Sequence, residues 1–108
     1  MTLLGLKADG GKRHPSYLPW RAIVRVLDVL EFGARKYAPH SWQGVEPSRY
    51  VDALLRHAIE FATRQREEGI LCSDEESGLP VLAHLACNAL FLLAHPAVIT
   101  AEADDDDT

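Results

Sequence analysis

The sequence predicts an all-α fold, a bundle of three main helices that further copies of the chain complete. Apolar residues recur at helical spacing over residues 20–36 and again over 48–66. A third stretch, 79–95, is apolar on almost every side, which marks a buried helix. Strand-like alternation extends nowhere far, and there is no internal repeat. Three helices of this length leave apolar surface uncovered, so a homodimer or homotetramer is expected.

At 108 residues the chain reads as one domain with a small core. No secretory leader is expected, because the apolar run in MTLLGLKADGG is too short. Cys72 and Cys87 lack metal-site spacing and read as reduced thiols of a cytoplasmic protein. The net charge of −5 hides a split: residues 1–66 carry all 11 basic residues against 6 acids, and residues 67–108 carry 10 acids and no base. That split suits a metal–polyphosphate ligand, and it equally suits a tail that serves solubility alone. It lacks the basic excess of a duplex-binding protein, so no nucleic-acid polymer is expected as a partner.

Residues 1–19 are punctuated by Gly10, Gly11, Pro15 and Pro19 and read as an extended arm. Cations in such a segment, Lys12 and Arg13 among them, can reach phosphates. Pro19 can start the first helix. Ile23, Val26, Leu27, Leu30 and Ala34 form its apolar face, with Asp28 and Glu31 on the flank. Gly33 weakens its last turns and permits a close approach. The loop 37–47 then sets Tyr37, His40 and Trp42 among two prolines and a glycine. A loop Trp either stacks on a base or pins the loop to the core, and pinning is the commoner role.

Helix two is expected over 48–66, with Ser48 as N-cap after Pro47. Val51, Leu54, Leu55, Ala58 and Ala62 form its main apolar face. Arg49, Arg56, His57 and Glu60 form a second, polar one. His57 and Glu60 are three apart and share a side. Glu60 lies among Ile59, Phe61 and Ala62, where an unpaired carboxylate is costly. A structural His–Glu or Arg–Glu bond would satisfy it.

Helix three follows an acidic cluster, Asp74, Glu75 and Glu76, with Ser77 as its N-cap and Pro80 in its first turn. Ser77, His84 and Asn88 are seven and then four residues apart, so they share one face, and His95 continues the stripe. Buried His and Asn need partners, so the stripe is either a hydrogen-bonded core or the lining of a site with the acids at its mouth. Antiparallel packing of helices two and three sets Glu60 beside Ala83 and His84, and Arg56 beside Cys87 and Asn88. A buried polar seam of this kind is where helical bundles place metal and ligand sites. Residues 79–99 are long enough to cross a bilayer. His84, Asn88, His95 and Pro96, and the absence of Lys or Arg after Arg66, argue against a membrane span.

Several blocks, in order, carry a family likeness. They are KADGGKR near the start, LP at Leu18–Pro19, FGARKY at Phe32–Tyr37, SW at Ser41–Trp42, RY at Arg49–Tyr50, ALLRH at Ala53–His57, and DEESGLP followed by LAH and ACNALFLL. Together they resemble the small phage dATP/dGTP diphosphohydrolases, including the MazZ-type enzymes, which are related to the all-α MazG pyrophosphohydrolases. The likeness runs from about Lys7 to Leu93. The chain departs from the family at Val81, where a His is usual, and at Ser41, where an Asn is usual. The acidic helix signature of MazG proteins is altered, with Arg56-His57-Ala58-Ile59-Glu60 in one helix and Asn88 in place of an Asp.

The resemblance implies a domain organisation of arm 1–19, MazG-like catalytic domain 20–99 and acidic disordered tail 100–108. It implies hydrolysis of a purine deoxynucleoside triphosphate, dGTP or dATP, to the monophosphate and pyrophosphate. In phages that replace adenine by 2-aminoadenine, the dGMP so formed is a precursor of the modified nucleotide. Such chemistry calls for Mg²⁺ or Mn²⁺, two or more per site, to activate water and neutralise the leaving polyphosphate. The expected ligands are Glu60, Asp74 and Glu76, with Glu31 as a fourth. His57, His84 and Asn88 would orient ligands or water as catalytic residues. Lys12, Arg13, Lys36, Arg49 and Arg56 would meet phosphates, and Tyr37 and Trp42 would stack on the base. Release of triphosphate by an HD-type enzyme needs a His-Asp doublet, and the sequence has none. A non-catalytic nucleotide-binding helical oligomer is the alternative, and a ligand-free helical assembly is a third reading.

Overall fold

A computed structural model describes residues 10–95. The first part of the arm, the end of the expected catalytic domain at 96–99 and the acidic tail lie outside the described residues. Three α-helices make up most of the rest: α1 (Trp20–Lys36), α2 (Pro47–Glu68) and α3 (Val81–Ala94). Two 3-10 turns, Pro15–Tyr17 and Ser41–Gly44, punctuate the arm and the loop after α1. Among the described residues the only pairing of extended backbone is an isolated bridge between Ser73 and Pro80. The fold class is all-α, as the periodicity predicts.

The helix starts differ from the sequence reading in two places. α2 begins at Pro47 with Glu46 as the cap residue, so Ser48 is already inside the helix. Proline's preset φ suits the first helical position, where a backbone N–H would lack a partner anyway. α3 begins at Val81 after Pro80, and Ser77 does not cap it. Residues 72–80 instead close into a loop. The Val81 N–H donates to the Cys72 carbonyl at 2.9 Å and the Asp74 N–H to the Leu79 carbonyl at 2.8 Å. Gly78 turns this loop at φ 73°, a conformation that side-chain-bearing residues rarely take. At its far end α3 stops at Ala94, and His95 is extended at ψ 139°, as a residue preceding a proline favours.

α3 packs against both α1 and α2. Val26 and Val29 of α1 close on Ala83 and Cys87 of α3, with Leu30, Leu79, Ala86 and Phe91 around them. Val81 is fully buried at the start of the helix. α2 and α3 run antiparallel: Tyr50 meets Phe91 and His57 meets His84. The register is therefore two to three residues from the sequence reading, with His57 rather than Glu60 level with His84.

Much apolar surface stays exposed. Val51, Leu55 and Ile59 form a stripe along α2, and Trp20, Val24 and Leu27 form one along α1. Gly33 faces open space, so the close approach expected there is not made among the described residues. At 14 residues α3 is too short to cross a bilayer, since it rises only about 21 Å. No helix among the described residues is long and apolar enough to do so.

Candidate active site

One face of α2 carries His57, Glu60 and Arg64, spaced three and four residues apart so that they stack along the helix. The 72–80 loop brings Asp74 to this face. Its carboxylate is fixed from behind: Oδ2 accepts from the Ser77 N–H at 2.9 Å and from the Glu76 N–H at 3.1 Å. This is an Asx-type turn, in which a short acid substitutes for a backbone acceptor. His84 arrives from α3 and stacks on His57, with ring centres 5.3 Å apart. The edge of Phe32 from α1 lies against His84 at 6.4 Å.

His57, Glu60 and Asp74 each offer a ligand atom, and the three atoms lie within 4.8 Å of one another. Glu60 Oε2 is 3.8 Å from His57 Nδ1. That nitrogen is buried and has no hydrogen-bond partner. Buried polar atoms rarely go unpaired, so this one, 3.8 Å from a Glu60 oxygen on a residue of the cluster, has the surroundings of a metal ligand. The donor set of two carboxylates and one imidazole suits Mn²⁺, and Mg²⁺ through the oxygens.

His84 Nε2 pairs with Ser77 Oγ at 2.7 Å, and the Leu79 N–H donates to the same oxygen at 3.1 Å. A hydroxyl oxygen can accept twice and donate once, so this contact suits either tautomer of a neutral His84. Asp74 Oδ2 lies 4.0 Å from the same Nε2. A nucleophilic triad needs its serine and its acid on opposite ring nitrogens. Ser77, His84 and Asp74 therefore do not form one.

The electrostatics agree with this geometry. Burial lowers the pKa of His84, and the nearby His57 lowers it further, against the opposing pull of Asp74, Glu60 and Glu76. Burial works to raise the pKa of Asp74. The Ser77 N–H, the His84 ring and the Glu76 N–H outweigh it and hold the carboxyl below its ordinary value. The loop thus presents an ionised carboxylate next to a neutral imidazole at pH 7.

The remaining predicted residues divide. Asn88 is buried, and its amide donates to the His84 carbonyl of its own helix at 3.0 Å. Glu76 forms an ion pair with Lys36, although its charge still reaches His84. Glu31 is exposed and is not among the three clustered ligands. Lys12, Arg13, Arg49 and Arg56 are exposed. Tyr37 is 70% exposed, with the Lys36 ammonium 5.1 Å from its ring centre. Trp42 stacks on Phe91 at 5.0 Å with planes 10° apart, and its carbonyl accepts from the Tyr50 hydroxyl at 2.7 Å. Trp42 thereby pins the loop to α3.

Ser77 meets His84 as their shared stripe predicts, but as its hydrogen-bond partner and not as a helix cap. Arg64 escaped the sequence reading. Arg64 joins Glu60 at 2.5 Å, Glu68 at 2.7 Å and the Ser73 carbonyl at 2.9 Å. The spacing Glu60–Arg64–Glu68, four residues at each step, was the available signal for it.

A groove of about 490 Å³ lies between α1 and α3, lined by Arg21, Arg25, Val26, Leu82 and Ala86 among others. It includes none of the clustered ligands. The chemistry-bearing residues sit instead on an open polar seam between α2, α3 and the 72–80 loop.

Residues 4–106 match the family described as dATP/dGTP diphosphohydrolase, N-terminal. Over 90 residues the chain is 33% identical to a protein of Salmonella phage PMBT28 named dATP/dGTP diphosphohydrolase. The aligned region covers 83% of this chain and 29% of that relative, so the chain spans less than a third of the relative's length. No solved structure matches the chain. With nearly its whole length covered, and with the family the one its motif blocks resemble, the chain belongs to the dATP/dGTP diphosphohydrolase, N-terminal family.

Proposed function

We propose that this chain is the catalytic helical module of a metal-dependent hydrolase that converts a purine deoxynucleoside triphosphate, dGTP or dATP, to the monophosphate and pyrophosphate. The observation that carries the reading is the His57–Glu60–Asp74 cluster with its buried, unpartnered imidazole nitrogen. The name of the phage relative supplies the substrate class.

In this reading Glu60, Asp74 and His57 would hold Mn²⁺ or Mg²⁺, and Glu76 and Glu31 complete the expected set of carboxylates. The bound ion lowers the pKa of water and offsets the charge of the leaving polyphosphate. The chain's own residues do the rest. Water adds to the α-phosphorus, and the bond from that phosphorus to the bridging oxygen breaks, leaving pyrophosphate. Neutral His84, donating from Nε2–H to Ser77, would take up the proton released by the water at Nδ1. Lys12, Arg13, Arg49 and Arg56 are exposed and carry the charge for phosphate contacts. Lys36 joins them once it leaves Glu76. Tyr37 is the aromatic surface open to a base, because Trp42 is engaged with Phe91. A dGMP product would supply nucleotide-pool remodelling or 2-aminoadenine nucleotide synthesis in a phage-infected cytoplasm.

The apolar stripes on α1 and α2 support self-association, as a homodimer or homotetramer that buries them. The deciding experiment is a product assay. The protein is incubated with each dNTP and with Mn²⁺ or Mg²⁺, and products are resolved by ion exchange. Monophosphate and pyrophosphate that vanish with EDTA support the reading. Deoxynucleoside with triphosphate sinks it. Binding without any product moves the weight to a non-catalytic nucleotide-binding oligomer.

A further inference from the structure

Glu60 and Asp74 sit on separate elements, one on α2 and the other in the 72–80 loop. Two carboxylates brought this close repel each other, and something must hold the loop against the helix. The loop is well tied to itself and to α3: Asp74 to Leu79, Gly78 to Asp74, and Val81 to Cys72. Its polar tie to the side chains of α2 runs through Arg64. One guanidinium nitrogen of Arg64 donates to Glu60 Oε1 and another to the Ser73 carbonyl, the residue before Asp74. Glu68 takes the remaining side of the fork through Nε and Nη2. The side chain is about three-quarters buried, unlike that of an ordinary exposed helix pair.

The division of the Glu60 oxygens is the informative detail. Arg64 engages Oε1, while Oε2 is the oxygen directed at His57 Nδ1. A planar guanidinium can fix a carboxylate rotamer in this way and serve a backbone carbonyl at the same time. An ammonium is a single point charge and does neither with the same geometry.

We propose that Arg64 is the positioning residue of the metal site: it turns Glu60 so that one oxygen faces the cluster, and it clamps the Asp74 loop to α2 at the matching height. This rests on the metal reading proposed above. Arg64 touches neither substrate nor reacting atoms in this scheme. It acts through Glu60 and Ser73.

The test is Mn²⁺ binding to the full chain without nucleotide, read by the electron paramagnetic resonance signal of free Mn²⁺. Arg64→Met and Arg64→Lys are compared with the unchanged protein, with circular dichroism and a melt in EDTA to identify folded variants. Loss of an outer partner of a metal ligand weakens affinity about 10- to 100-fold, and Arg64→Met should fall in that range. Arg64→Lys keeps the charge but not the fork and should recover only part of the loss. A folded Arg64→Met with unchanged affinity overturns the proposal. So does one that binds Mn²⁺ more tightly, because Arg64 would then be a competing cation. If Arg64→Met does not fold, Arg64→Lys decides: full affinity overturns the proposal and a partial loss supports it. If the unchanged protein binds no Mn²⁺, the metal reading itself fails and takes this proposal with it. That outcome is distinct from equal binding by protein and variant.

Discussion

His57 stacks on His84 with ring centres 5.3 Å apart and planes 26° from parallel, joining α2 to α3 at the level of the acidic cluster. Two imidazoles this close cannot both carry a proton cheaply. His57 accordingly helps to lower the pKa of His84, after burial. The stack gives the two rings different work. His57 turns a buried nitrogen toward Glu60, while His84 pairs with Ser77 and has its pKa lowered.

Removing one carboxylate from the cluster separates chemistry from folding. Glu60→Gln keeps an acceptor for Arg64 and relieves repulsion with Asp74, so its melting temperature should equal or exceed that of the unchanged protein. Turnover should be lost, by more than the roughly 100-fold that loss of an outer partner of a ligand costs. Steady-state kinetics beside a melt in EDTA check both halves. A Glu60→Gln protein with full turnover removes Glu60 from the mechanism.

Tyr37 and Trp42 should fail in different ways. Trp42 is stacked on Phe91 and bonded through its carbonyl to Tyr50. Trp42→Ala should cost about 1–3 kcal/mol of stability, less than for a fully buried Trp. Tyr37 is exposed, so Tyr37→Ala should leave stability within about 0.5 kcal/mol. If Tyr37 stacks on the base, the same change raises KM several-fold. A Tyr37→Ala protein with unchanged KM for every dNTP would assign base recognition elsewhere.

The helices were legible in the sequence because their apolar residues recur at a helical period, and α1 matches its predicted bounds at both ends. The seam between α2 and α3 was also legible, since two polar faces on otherwise apolar helices have to meet. Its register was not. An offset of two to three residues costs little when both faces are small and polar, and one tie across the seam, Arg64 to the Ser73 carbonyl, ends on a backbone atom that sequence spacing does not display. The loop before α3 was read as a helix start because Ser77 and Pro80 have helix-start chemistry. Asp74 instead accepts from the Glu76 and Ser77 N–H groups. Glu76 and Asp74 look equivalent in sequence, and only the fold gives Glu76 to Lys36.

The buried thiols give a pH-dependent prediction. Cys87 is 2% exposed, and burial pushes its thiol up to about 11. A pKa raised by folding means that the folded state holds the proton more tightly. The resulting stabilisation is complete below the ordinary value near 9.0 and is lost as pH rises through about 11. Native protein at pH 8 should therefore react slowly with a thiol reagent such as DTNB at Cys87, and fast in urea. The Cys87→Ala variant should melt lower at pH 8 yet lose less stability between pH 9 and about 11. A rapid native reaction at Cys87 would mean that the α1–α3 core opens readily.

The stripe on α2 bears on assembly. Val51, Leu55 and Ile59 repeat every four residues, and Leu55 and Ile59 are 52% and 66% exposed. Residues at this spacing share one helix face. An isolated chain would keep this apolar ridge in water beside the similar ridge on α1, an arrangement that marks a covered surface. Leu55→Glu puts a charge in the middle of the ridge without touching the Val26–Val29–Ala83–Cys87 core. It should shift the protein to monomer in sedimentation velocity and leave the helical circular dichroism signal intact. An unchanged sedimentation coefficient in Leu55→Glu would show that this ridge joins no copies.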